Sequence, residues 1–193
     1  MGPEALGLTA LAVWQGTAVV LTLAASGLLS GRGSASLPLG PPRGSPLVYL
    51  QAILLLGVLN VLVSIVQYFA MPQDMYADLR PFAGMVEGPQ WLFVLLVVGV
   101  GAPLSEELLF RGYLLPALAR TRFGYVGGAL ISTAIWTALH AGYTITGIAE
   151  VFLIGMFFCW LLWRTGSLRV AIFCHALYNS LIVVVLRYVP LPT

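Results

Sequence analysis

Six stretches of almost unbroken apolar residues, 5–29, 47–70, 91–118, 125–141, 145–163 and 168–189, dominate the chain. Most are near the roughly 20 residues that an α-helix needs to cross the hydrocarbon core of a bilayer. A lipid core tolerates only elements that satisfy their own backbone hydrogen bonds, so runs of this length predict helices. The pattern therefore predicts an all-α, polytopic integral membrane bundle of about six transmembrane helices. The connections read differently. Residues 31–46 carry Gly31, Gly33, Gly40 and Gly44 with Pro38, Pro41, Pro42 and Pro46, a composition that does not continue a helix. Residues 72–89 hold Asp74, Asp78, Arg80 and Glu87 between prolines and belong in water or among lipid headgroups. The start of the chain imitates a secretion signal, but Glu4 is the only charge before the apolar run, so an uncleaved first helix is expected.

Composition sharpens this picture. Of 193 residues, 60% are hydrophobic and 8% charged, against roughly a quarter charged in an ordinary soluble domain. The formal net charge is +2, with nine arginines and no lysine. These arginines form no basic cluster, which argues against nucleic acid as a partner and leaves the lipid bilayer as the first one. Their distribution also orients the chain. Arg32 and Arg43, Arg120 and Arg122, and Arg164 and Arg169 fall in the odd-numbered connections, whereas the other side holds Arg80 and Arg187. Positive charge is retained on the cytoplasmic side, so both termini are expected to be extracytoplasmic. An arginine-only, Ala/Gly/Leu/Val-rich chain suits a bacterial cytoplasmic membrane. Cys159 and Cys174 sit inside apolar runs and read as packing residues rather than a disulfide.

The candidate chemistry lies in what does not belong in lipid. An ionisable side chain at the bilayer centre costs at least ~2.5–3.5 kcal/mol, so each needs a reason. Glu107 and Arg111 are spaced i,i+4 with the acid first, the favourable order for an intrahelical ion pair. Glu106 points about 100° away, left as a free carboxylate or as one with a raised pKa beside a polar partner, placed as a general base would be. His140 and His175 are the only histidines. His175 and Asn179, again i,i+4, project from one helix face, and both can donate hydrogen bonds to a common point. Carboxylate plus imidazole to deprotonate water, and imidazole plus amide to hold an oxyanion, make a hydrolytic set.

These residues resemble a known family. Glu106-Glu107-x-x-x-Arg111, Trp136 one turn before His140, and His175-x-x-x-Asn179 are similar to the three motifs of the CAAX protease and bacteriocin-processing membrane family, which includes the CAAX prenyl endopeptidases. Ala102-Pro103, Phe110-Arg111-Gly112 and Arg164-Thr165-Gly166-Ser167-Leu168 are also typical of it. The resemblance covers about residue 91 to the C-terminus, which divides the chain into two N-terminal helices with their loops, 1–90, and a catalytic core, 91–193. It implies a glutamate-dependent intramembrane protease without cofactor or metal, acting on a membrane-associated peptide or protein, prenylated or not. Glu106 and His140 would activate water, Glu107 and Arg111 would support them, and His175 with Asn179 would form the oxyanion hole. The family's second motif usually begins with Phe, where this chain has Trp136.

Alternatives remain at this level: a zinc-dependent version of the same protease, a catalytically silent scaffold or immunity-type binding protein, and a small proton-coupled transporter. There is no His-Glu-x-x-His, and Asn179 is a poor zinc ligand. Straight-helix arithmetic also sets His140 near the outer end of the fourth helix and His175 roughly 10 Å from the inner end of the sixth, where they would not meet. Asn60, Ser64 and Gln67 form a polar stripe on the second helix, read chiefly as packing. Glu150 reads as a near-surface residue, and Gly147 and Gly155 as points of close helix contact.

Overall fold

The computed structural model describes the backbone of residues 3–30 and 37–192; Gly31, Arg32 and Gly33, used above, lie outside the described residues. The helices are α1 (Pro3–Ser30), α2 (Leu47–Ala70), α3 (Arg80–Glu87), α4 (Trp91–Ala119), α5 (Gly124–Ala138), α6 (Ile145–Thr165) and α7 (Leu168–Tyr188). Short 3-10 turns occupy Pro72–Asp74 and Ala77–Leu79. There is no strand among the described residues. The protein is a polytopic helical membrane bundle in which α1, α2, α4, α6 and α7 are long and apolar enough to cross. α2 turns Leu54, Leu55, Val58, Val61, Leu62, Ile65, Val66 and Phe69 outward, as a lipid-facing helix does. The fourth apolar stretch is shorter than its hydropathy suggests. It becomes α5, 15 residues or about 22 Å at 1.5 Å per residue, short of a ~30 Å hydrocarbon core. Its end tightens into i→i−3 turns, Leu139 N–H donating to Trp136 O and His140 N–H to Thr137 O.

α4 is the central element, and two prolines shape it. Pro103 and Pro116 have no N–H to donate, and an ordinary α-helix would be broken or kinked at each. Wide π turns, Leu95–Gly101 and Glu107–Leu114, precede them instead. In this register Ala102 N–H donates to Val97 O, five residues back, so the carbonyl that Pro103 leaves without a donor is Val98 O. Asn179 Nδ2 donates to that oxygen at 3.1 Å, and Ser180 Oγ to Gly99 O at 3.3 Å. α7 is thus bonded through side chains to the irregular part of α4, along which it packs.

Loop contacts fix the two ends of the bundle. At one end, Arg43 N–H donates to Thr165 O at 2.8 Å, Leu168 N–H to Pro38 O at 2.8 Å and Ser167 Oγ to Gly40 O at 2.6 Å. Gly166, at φ +66°, turns the chain there from α6 to α7 in a conformation that disfavours other residues. Arg43, Arg164 and Arg169 consequently share this end. At the other, Asp78 accepts from the Thr144 N–H and hydroxyl, both at 2.8 Å, while Thr144 Oγ1 accepts from Gly147 N–H as the N-cap of α6. Thr146 Oγ1 donates to Asp74 at 3.1 Å. A Cβ at Gly147 would collide with the Asp78 carboxylate. Because a hydrogen bond to a charged group contributes about 1.5–3 kcal/mol, Asp78→Ala is expected to release residues 71–79. Faster deuterium exchange there than in Asp78→Asn is the measurement; equal exchange in parent and Asp78→Ala refutes the clasp.

Candidate active site

The site begins with the pair of glutamates where α4 changes from regular to wide turns. Glu107 and Arg111 are fully buried and paired, Nη1 to Oε1 at 3.1 Å. The guanidinium carbon lies 4.3 Å from the Trp136 ring centroid and 5.6 Å from that of Phe158, so aromatic faces supply the cation contacts that remain. Gly155 makes this approach possible, since a Cβ on it would meet Thr133, Arg111 and Trp136. Glu107 Oε1 also lies 2.9 Å from His175 Nδ1. One buried carboxylate therefore holds α4 to itself and to α7.

Glu106 faces elsewhere. Trp136 Nε1 donates to its Oε2 at 2.6 Å, leaving Oε1 outside that bond. His140 Nδ1 lies 3.2 Å from Trp136 O. A carbonyl only accepts, so the Nδ1 carries the proton and Nε2 is left as an acceptor. Trp136 thus orients both groups, Glu106 through its indole and His140 through its backbone. Its ring also packs edge-on to both imidazoles, 5.2 Å from His140 and 5.7 Å from His175.

Glu106, His140, His175 and Asn179 all line one cavity of about 600 Å³. Glu107 and Arg111 sit behind its wall. This corrects the straight-helix expectation: the two histidines reach one cavity, both packed against the ring of Trp136, 5.2 and 5.7 Å from its centroid. The stripe Asn60, Ser64 and Gln67 lines the same cavity, as do Asp74, Asp78, Tyr143, Glu150 and Tyr178. Glu150 is half-buried within this wall rather than at the surface. Tyr143, in the turn after α5, has its hydroxyl pushed up to about 12, first by burial and then by Asp78, Glu106 and Glu150. It stays protonated at neutral pH, a donor among three acids.

Sequence reasoning missed Trp136 as a donor, the Glu107–His175 contact, and Tyr178, whose hydroxyl donates to Asn60 Oδ1 at 2.7 Å. The i,i+3 spacing of His175 and Tyr178 was the available signal. Among the described residues, no three of His, Cys, Asp or Glu are grouped so as to hold a metal ion.

Spanning helices that wall in a carboxylate–imidazole cavity define a polytopic membrane protein with a polar site among its helices. Residues 88–181, just under half of the chain, match the family described as type II CAAX prenyl endopeptidase Rce1-like. This segment contains all six motif residues and is similar to the CAAX protease family. Over 90 residues it is 34% identical to an "uncharacterized 24.3 kDa protein" of Escherichia coli, a match covering 45% of this chain and 41% of that protein. The chain therefore matches less than half the length of that relative. No solved structure matches it.

Proposed function

We propose that the protein is an intramembrane endopeptidase of the glutamate type, cleaving a membrane-associated peptide or protein. The observation that carries this reading is the convergence of Glu106, His140, His175 and Asn179 on one cavity. Water held between the Glu106 carboxylate and His140 Nε2 loses a proton as its oxygen attacks the peptide carbonyl. The C–N bond then breaks and the proton passes to the leaving amine. The developing oxyanion is met by the Asn179 amide hydrogen that Val98 O does not use, and by His175 Nε2–H. With Nδ1 facing Glu107, that second donor is the doubly protonated imidazolium, which shares the Glu107 carboxylate with Arg111. Glu107 and Arg111 are positioning residues in this scheme, the pair fixing His175.

The division at residue 90 has a functional sense here, with 91–193 supplying the chemistry and α2 and the 72–89 connection supplying cavity walls. Arg43, Arg164 and Arg169 mark the cytoplasmic end. The cavity reaches Asp74, Asp78 and Tyr143 at the opposite end, so substrate enters from the extracytoplasmic side of what we take to be a bacterial membrane. The test is hydrolysis of a quenched-fluorescence peptide library, with and without prenyl groups, by purified protein in detergent. Cleavage unaffected by chelator is expected. Chelator-sensitive cleavage moves the assignment to the zinc version, and no cleavage by folded protein refutes the peptidase.

A further inference from the structure

The proposed chemistry uses cavity residues of α4, of the turn after α5 and of α7, and leaves Glu150 of α6 without a task. Its carboxylate accepts from Tyr178 OH at 3.3 Å and from Gln67 Nε2 at 3.5 Å. Both contacts are long for hydrogen bonds. The phenol has a single proton, moreover, and its 2.7 Å bond to Asn60 Oδ1 is the shorter of the two it makes. Glu150 is therefore weakly satisfied by neutral donors alone. Among the described residues no arginine lines the cavity and both ion pairs involve Glu107, and the chain has no lysine. A half-buried carboxylate in a membrane protein without a countercharge is costly. A cationic group brought by a ligand would supply what the protein does not.

We infer that Glu150, braced by Gln67 and Tyr178, is a specificity-determining residue that receives a basic side chain, arginine or lysine, of the peptide bound in the cavity. The inference rests on the endopeptidase reading for its substrate but not for its measurement. The bound ammonium or guanidinium pairs with the Glu150 carboxylate, while Tyr178 keeps its bond to Asn60. Asp78 is a weaker receptor, because each of its oxygens already accepts a 2.8 Å bond from Thr144.

The experiment measures binding of fluorescent peptides to the full chain in lipid nanodiscs. N-acetylated peptides carry arginine scanned through successive positions, each paired with its norleucine analogue; a further norleucine peptide has a free N-terminus. At one position arginine is expected to bind about tenfold or more tighter than norleucine. Glu150→Gln, nearly isosteric, should bring the two within about twofold without weakening the norleucine peptide, and Glu150→Asp should restore part of the preference. Equal binding of arginine and norleucine peptides at every position overturns the inference. So does an arginine preference that survives Glu150→Gln, or a preference carried by the free N-terminus alone. Hydrolysis of the same peptides separates the two readings. Charge-selective binding without hydrolysis defeats the peptidase and leaves Glu150 standing, whereas hydrolysis without charge selectivity does the reverse.

Discussion

Glu106→Gln is expected to lower kcat/KM for the best-cleaved peptide by about 10²–10⁴-fold, the range lost when a positioned general base is removed. The substitution is nearly isosteric. A glutamine side-chain oxygen can still accept from Trp136 Nε1, which donates to Glu106 at 2.6 Å, so the indole keeps its partner and the wall its shape. What disappears is the ability to take a proton from water. Thermal unfolding in detergent should therefore stay within ~2 °C of the parent, since one hydrogen-bond acceptor has replaced another. His140→Ala should give a loss of the same kind, and the double variant should lose little more, because groups acting as a unit are not additive. Unchanged cleavage in Glu106→Gln would remove Glu106 from the reaction. Loss of cleavage together with a large fall in melting temperature would recast it as a structural group.

Much of this site was legible from spacing alone. The i,i+4 pairs Glu107/Arg111 and His175/Asn179 lie on single helices, where side-chain direction follows from helical geometry, and Gly155 reads correctly as a close contact. Relations between helices were not legible. The depth of His140 relative to His175 depends on where α5 stops and on how α4 absorbs Pro103 and Pro116, and hydropathy reports neither. Trp136 looks like an interchangeable aromatic until its indole N–H is seen against a carboxylate 30 positions away. Glu150 appears superficial by its place near the start of α6. The 72–79 segment, clasped through Asp78 to Thr144, extends the cavity lining over that end of the bundle and makes it interior.

Arg111→Met should produce the largest loss of stability. The guanidinium is fully buried, bonded to Glu107 at 3.1 Å and set against the faces of Trp136 and Phe158. Methionine fills much of the same volume, so the cost comes mainly from leaving the Glu107 carboxylate with one partner, His175, in place of two, and from losing the guanidinium's ring contacts. Breaking a buried pair from one side costs about 3–5 kcal/mol, or on the order of 10 °C in melting temperature for a chain of this size. Arg111→Lys should also destabilise, because a compact ammonium reproduces neither the fork nor the stacking on two rings. Glu107→Gln combined with Arg111→Met is the decisive variant. With both charges gone the desolvation cost goes with them, and more than half of the lost stability should return, while cleavage stays low because His175 no longer has a carboxylate to hold its imidazolium. Recovery of stability without recovery of activity assigns the pair to positioning His175. Full recovery of both would mean that the pair only locks the helix, and a parent-like melt for Arg111→Met would show that His175 alone suffices as the partner of Glu107.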